Sequence, residues 1–138
     1  MEINTKTTNQ ISRSQITLTS HMLRSLGLSF GLTGTRLINK TIQILTVRDL
    51  EIVVLEDIYK ELSIYFPKIK PIQMRQYIAY ALDHRDYKKA EENFEDIFGF
   101  EHDIFYFEPK VFMEEVANII RLESILLVTR NFNNLKLK

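Results

Sequence analysis

The chain has 138 residues, enough for one domain with its own core, and 45% of them are hydrophobic. It contains no cysteine, which excludes disulfides, thiolate catalysis and cysteine-based zinc sites. Net charge is zero, the polar start "MEINTKTTNQISRSQITLTS" lacks the apolar core of a signal peptide, and the apolar run "ILLV" (125–128) is too short to cross a bilayer; the expectation is a soluble, cytoplasmic protein that does not enter membranes.

Four glycines and three prolines leave little room for a many-turned sheet, and apolar residues recur mostly at spacings of three and four. The pattern predicts an all-α fold, a compact bundle of about six helices. Residues 1–16 read as a flexible polar arm, 17–124 as the helical domain, and 125–138 as a C-terminal extension. A first helix fits "LTSHMLRSL" and ends at Gly27. "LSFGLTG" is a loop, and Thr33 is placed to cap the second helix with its hydroxyl. That helix carries Leu37, Ile38, Ile42 and Leu45 on one face.

A third helical region runs from about Asp49 to Phe66, with a break expected near Leu55 and an apolar set of Leu50, Val53, Val54, Ile58, Leu62 and Tyr65. Pro67 disfavours helix at Phe66 and stops it. Pro71 sits in the first turn of the next helix, where its missing N–H costs nothing. "PKIK" is therefore a tight connection of helix-turn-helix length. The helix from Pro71 to about His84 buries Met74, Ile78, Ala81 and Leu82, at the i, i+4, i+7, i+8 spacing of one stripe. This leaves Gln73, Arg75, Gln76, Ala79, Tyr80 and Asp83 largely on the other side. A fifth helix fits "AEENFEDIF", stopped by Gly99. "FEHDIFYFEP" reads as irregular, with room for a short extended piece. A sixth helix fits 109–123 with Phe112, Val116, Ile119, Ile120 and Leu122 for packing, and the tail either prolongs it or docks separately.

The zero net charge conceals an asymmetry. Residues 60–89 carry Lys60, Lys68, Lys70, Arg75, Arg85, Lys88 and Lys89 against Glu61, Asp83 and Asp86, a balance of +4. Residues 90–123 carry ten acids against Lys110 and Arg121, a balance of −8. The basic stretch coincides with the two helices around "PKIK". Base edges in the major groove are read by side chains with paired donors and acceptors: arginine suits guanine and glutamine suits adenine. Gln73, Arg75, Gln76 and Tyr80 supply that chemistry in the first half of the helix, the part that enters the groove in helix-turn-helix proteins. Lys60, Lys68 and Lys70 flank the turn, where phosphates would pass, and Arg85, Lys88 and Lys89 follow the helix; Lys68, Lys70, Lys88 and Lys89 are the expected phosphate contacts. The competing account is that these are ordinary polar residues of a solvated helix.

No other chemistry is legible. His21, His84 and His102 lack ligand spacing, so no metal is expected, and no cofactor. "GLTG" (31–34) lacks the Gly-Lys-Ser/Thr of a phosphate-binding loop. The acids of "EENFED" read as a solvated face rather than a catalytic pair. The rings of "FGFEHDIFYFEP" read as core, with a partner surface as the alternative. No nucleophile–base pair can be assigned, and no enzyme is expected.

The stretches "SLGLSFGLTGTRLINKTI" (25–42), "IYKELSIYF" (58–66), "MRQYIAYAL" (74–82), "FEDIFGF" (94–100) and "FMEEVANIIRLE" (112–123), in this order, resemble the C-terminal effector domain of the sporulation-initiation response regulator of endospore-forming Firmicutes. The likeness spans about residues 20–123. It implies an all-helical bundle with a helix-turn-helix that binds double-stranded DNA as tandem copies, with Arg75, Gln76, Ala79 and Tyr80 in contact positions of helix 71–84. The chain departs from the family's pattern there: Arg75 and Gln76 stand for an acid and an arginine, Ala79 for a basic residue, and the turn is one residue longer. It also lacks room for the family's N-terminal receiver domain, so switching by aspartyl phosphorylation is not expected. Two readings follow. One is a sequence-specific DNA-binding regulator, acting as a homodimer or tandem copies. The other is a protein-interaction module that has lost DNA reading and modulates a full-length regulator.

Overall fold

The computed structural model describes the backbone of residues 11–48 and 52–137, and the side chains of these up to Glu123. Among the described residues, six α-helices follow one another in chain order: α1 (Arg13–Ser25), α2 (Thr33–Val47), α3 (Leu55–Tyr65), α4 (Pro71–Asp83), α5 (Tyr87–Phe98) and α6 (Pro109–Leu137). A 3-10 turn, Ile104–Phe107, precedes α6. There is no strand among the described residues.

Helix boundaries follow local capping chemistry. Ser12 Oγ accepts from the Gln15 backbone N–H at 3.1 Å, and the Ser12 N–H donates to Gln15 Oε1 at 3.0 Å. This reciprocal pair starts α1 at Arg13, so residues 13–16 are helical rather than part of the expected arm. Residues 1–10 of that arm lie outside the described residues. Thr33 makes no capping bond: the N-cap of α2 is Leu32, in extended backbone, and Thr33 is already helical. The helical region expected from about Asp49 is helical only from Leu55, where α3 begins after the extended Val54; residues 52–54 are not helical, and 49–51 lie outside the described residues. Pro71 opens α4 as expected, and the Lys70 N–H donates to Gln73 Oε1 at 2.9 Å. Asp86 caps α5 through Oδ1 and the Lys89 N–H, so α5 starts three residues before the expected "AEENFEDIF". The extended piece expected in "FEHDIFYFEP" is the 3-10 turn instead, with Asp103 Oδ1 accepting from the Phe105 N–H at 3.0 Å. Beyond it Pro109 begins α6, which runs on through the tail to Leu137.

α2 is the central helix, with α1, α3, α4 and α6 all packed on it. Leu37, Ile38, Ile42 and Leu45 are buried, as their spacing requires. So are Met74, Ile78, Ala81 and Leu82 of α4, and Phe112, Val116 and Ile120 of α6. Met113 and Ala117 join that α6 stripe, whereas Leu122 is exposed. Of the apolar set expected around α3, Ile58 and Leu62 are buried, Val53 is half-buried, Val54 and Tyr65 are exposed, and Leu50 lies outside the described residues.

Two glycines set how closely the helices approach. A Cβ on Gly34 would lie 1.8 Å from the Tyr77 carbonyl oxygen and 2.8 Å from the Ala81 Cβ, so only glycine lets the first turn of α2 cross α4 in backbone contact. Gly27 adopts φ +84°, closed to most side chains, and its carbonyl accepts from the Asp86 N–H at 2.8 Å, tying the end of α1 to the start of α5. At the far end of α2, Arg121 donates through Nη1 to the carbonyls of Leu45 (2.6 Å) and Arg48 (3.0 Å), placing a cation where the helix dipole favours one. Arg48 itself forms a bidentate ion pair with Glu61 of α3.

Candidate nucleic-acid interface

Five residues, 66–70, connect α3 to α4. The Phe66 N–H closes on the Leu62 carbonyl at 2.9 Å, and the Ile69 N–H returns to the Phe66 carbonyl at 3.1 Å. Phe66 and Ile69 are half-buried against the core. The connection is thus pinned by two apolar side chains, and Lys68 and Lys70 between and beyond them point to solvent.

α4 buries one stripe and leaves the other free. At 100° per residue, Ile72, Gln76, Ala79, Tyr80 and Asp83 form a row opposite Met74, Ile78 and Ala81. All five of the row are exposed, and none lies beneath another element of the described chain. Ile72 is the residue that the sequence-based reading of this face missed. It is 68% exposed, in the first turn of α4, two positions before the stripe begins. Its place off the stripe was a usable signal, since an apolar residue there has no core to enter.

The remaining expected readers are engaged within the protein. Arg75 Nη2 donates to Glu56 Oε1 at 2.7 Å, bridging the starts of α4 and α3. Gln73 is half-buried and gives its amide oxygen to the α4 cap. The Tyr80 ring stacks on His84 at 3.8 Å between centroids, and His84 Nδ1 lies 2.9 Å from the Tyr80 carbonyl. Gln76 has the only free planar donor–acceptor group in the row. Beside Ile72 lies an open cavity of about 300 Å³ lined by Glu56, Tyr59, Lys60, Pro71, Ile72 and Arg75. Burial pushes the Tyr59 phenol above its ordinary range, and the neighbouring Arg75 guanidinium offsets part of that rise.

Lysines stand at both ends of α4. Lys68 and Lys70 precede it, Lys88 and Lys89 occupy the first turn of α5, and all four are exposed. The helix between them has 13 residues and is roughly 20 Å long at 1.5 Å per residue. Cations in a first turn oppose the helix dipole, so Lys88 and Lys89 do not stabilise α5 by that route. Lys60 is exposed on α3.

Arg85, counted with the basic residues that follow the helix, is placed elsewhere. It is 5% exposed. Its guanidinium lies between the Phe107 ring (3.7 Å) and the Tyr87 ring (4.1 Å), and Nη1 donates to the Leu82 carbonyl at 2.8 Å. Burial pushes its pKa down. Arg85 is a staple between the α4–α5 corner and the 3-10 turn, not a phosphate contact.

The rings of 98–107 divide. Phe107 is buried, and Phe98 and Tyr106 are half-buried around the fully buried Phe94. Phe100 and Phe105 are exposed instead of completing the core, and Ile104 with them. Phe100 and His102 set their rings edge-on to Phe94. No three histidine, aspartate or glutamate side chains among the described residues converge as metal ligands. No described helix is long and apolar enough to cross a membrane. No family model, curated protein or solved structure matches the chain.

Proposed function

We propose that this chain is a small sequence-specific regulator of transcription that binds double-stranded DNA, with α3 and α4 acting as a helix-turn-helix and α4 entering the major groove. The observation that supports this best is the free row on α4, framed by exposed lysines at both of its ends. A helix that enters a groove needs an unobstructed outer face and cations where the two phosphate backbones pass. Gln76 and Tyr80 face the bases, Gln73 holds the helix start, and Arg75 stays paired with Glu56 at the edge of the row. Lys68 and Lys70 meet one backbone, and Lys88 and Lys89 the other. The resemblance to the sporulation effector domain points the same way, toward a cytoplasmic protein bound as a dimer or as tandem copies.

Selection from a randomised duplex pool, followed by gel-shift titration of the winning sequence at two salt concentrations, tests the reading. Four phosphate contacts give a slope of log K against log salt of roughly −3.6. A protein that retards no duplex at the lowest salt is not this regulator.

A second reading rests on Ile104 and Phe105, which are 71% and 60% exposed on a turn flanked by Glu101, Asp103 and Glu108. Two adjacent apolar side chains in an acidic surround fit the centre of a protein interface. On this account the chain is an interaction module that has lost DNA reading and modulates a full-length regulator. Absence of any gel shift, together with co-purification of such a regulator that Phe105→Ala abolishes, favours it.

A further inference from the structure

Three surfaces invite a use beyond this outline: the Ile104–Phe105 turn, the buried Arg85 with its unpartnered Nε and Nη2, and the outer row of α4. Nothing in the structure shows what covers the turn, and the Arg85 atoms are sealed between two rings. The row carries an inference, which rests on the DNA-binding reading just given. We propose that α4 selects A·T base pairs, with Ile72 packing on a thymine methyl group and Gln76 pairing with the neighbouring adenine.

A guanine is read by a cation with forked or paired donors, and Arg75 is the only arginine or lysine within α4. Its guanidinium is held toward α3 by Glu56 at 2.7 Å. Gln73 spends its amide oxygen on the Lys70 N–H, which leaves Gln76 as the residue able to present a donor and an acceptor together, the pattern that matches adenine N7 and N6. Ile72 lies one helical turn before Gln76 on the same face. Thymine is the base that offers a methyl group in the major groove, and Ile72 is a branched side chain that is 68% exposed, outside the buried stripe of α4. Ala79, one turn beyond Gln76, is small enough to let the helix lie close. An apolar residue, an amide and a second apolar residue in one row describe an A·T step more closely than a G·C step.

The methyl group gives a direct test on the unaltered protein. In the selected duplex, each thymine of the core is replaced in turn by deoxyuridine, which deletes the methyl and keeps every hydrogen bond. Burying one such group corresponds to about fourfold in affinity, so one position is expected to lose roughly fourfold and the others nothing. Ile72→Ala, at a site exposed enough to leave folding intact, is expected to lose several-fold on the thymine duplex and to be indifferent to the uracil replacement, because protein and DNA then lack the same contact. A core of G·C pairs in the selected sequences, or indifference of the native protein to all uracil replacements, overturns the assignment while salt-dependent binding upholds the regulator. Failure to retard any duplex at the lowest salt overturns both.

Discussion

The basic side, α3 to the start of α5, and the acidic end, from Phe94 to Glu108, both leave apolar side chains in water, but in different company. On α4 the exposed apolar residues are spread along the helix, between lysines. At the acidic end they cap a cage of rings around Phe94. The exposure on α4 follows from the helix pattern, and that at the acidic end does not. A row of isolated side chains on one rigid helix suits a grooved partner read position by position. A knob of two neighbouring side chains suits a single recess. Arg85 joins the two regions, since it belongs to the basic stretch in sequence but is clamped by Phe107 in space.

The largest loss of stability is expected at the acidic end. Phe94→Ala removes the ring on which Phe98, Phe100, His102, Tyr106 and Phe107 lean, and is expected to cost about 3–5 kcal/mol in urea unfolding. The exposed Phe105→Ala, a few residues away, should cost well under about 1 kcal/mol. Equal losses at the two positions would mean that Phe105 is packed in solution. On the basic side the corresponding point is Gly34. A methyl group there meets the α4 backbone, so Gly34→Ala is expected to lose about 1–3 kcal/mol. Because it displaces α4, it should also weaken DNA binding more than it weakens the fold.

Smaller effects sharpen the electrostatics. Tyr59 has its pKa raised by burial, so above pH ~10, the ordinary tyrosine value, the unfolded chain sheds this proton while the folded one keeps it. Stability therefore falls as pH rises through that range and on through the folded-state value. Tyr59→Phe should flatten this part of the alkaline unfolding profile and leave its neutral part with the same slope. The smallest expected change in stability is that of Glu56→Gln. Its ion pair with Arg75 is exposed on both sides and is worth at most about 0.5 kcal/mol. Its effect on binding is the informative one: release of Arg75 toward the duplex should steepen the salt slope by about 0.9 and relax the preference against guanine. An unchanged slope would place Arg75 away from the DNA.

Much of the architecture was legible because it is local. Met74, Ile78, Ala81 and Leu82 repeat at the period of the helix, and Pro71 can open a helix but not continue one, so α4 and its buried stripe follow from thirteen residues. The α1 start was readable too, in the Ser12-Arg13-Ser14-Gln15 spacing of a capping box, but a polar composition masked it. The free row on α4 follows from the same wheel, and so does the misfit of Ile72 with the stripe.

Tertiary structure alone decided which charges are available. Glu56 is nineteen residues from Arg75, and Phe107 is twenty-two from Arg85. No periodicity links such pairs, because each arises where separate helices meet. Composition counted Arg75 and Arg85 as two equal members of a basic patch; packing tethers one to a carboxylate and seals the other between rings. A helix face is dictated by 3.6 residues per turn, whereas the partner of a long, charged side chain depends on which helices the core brings together.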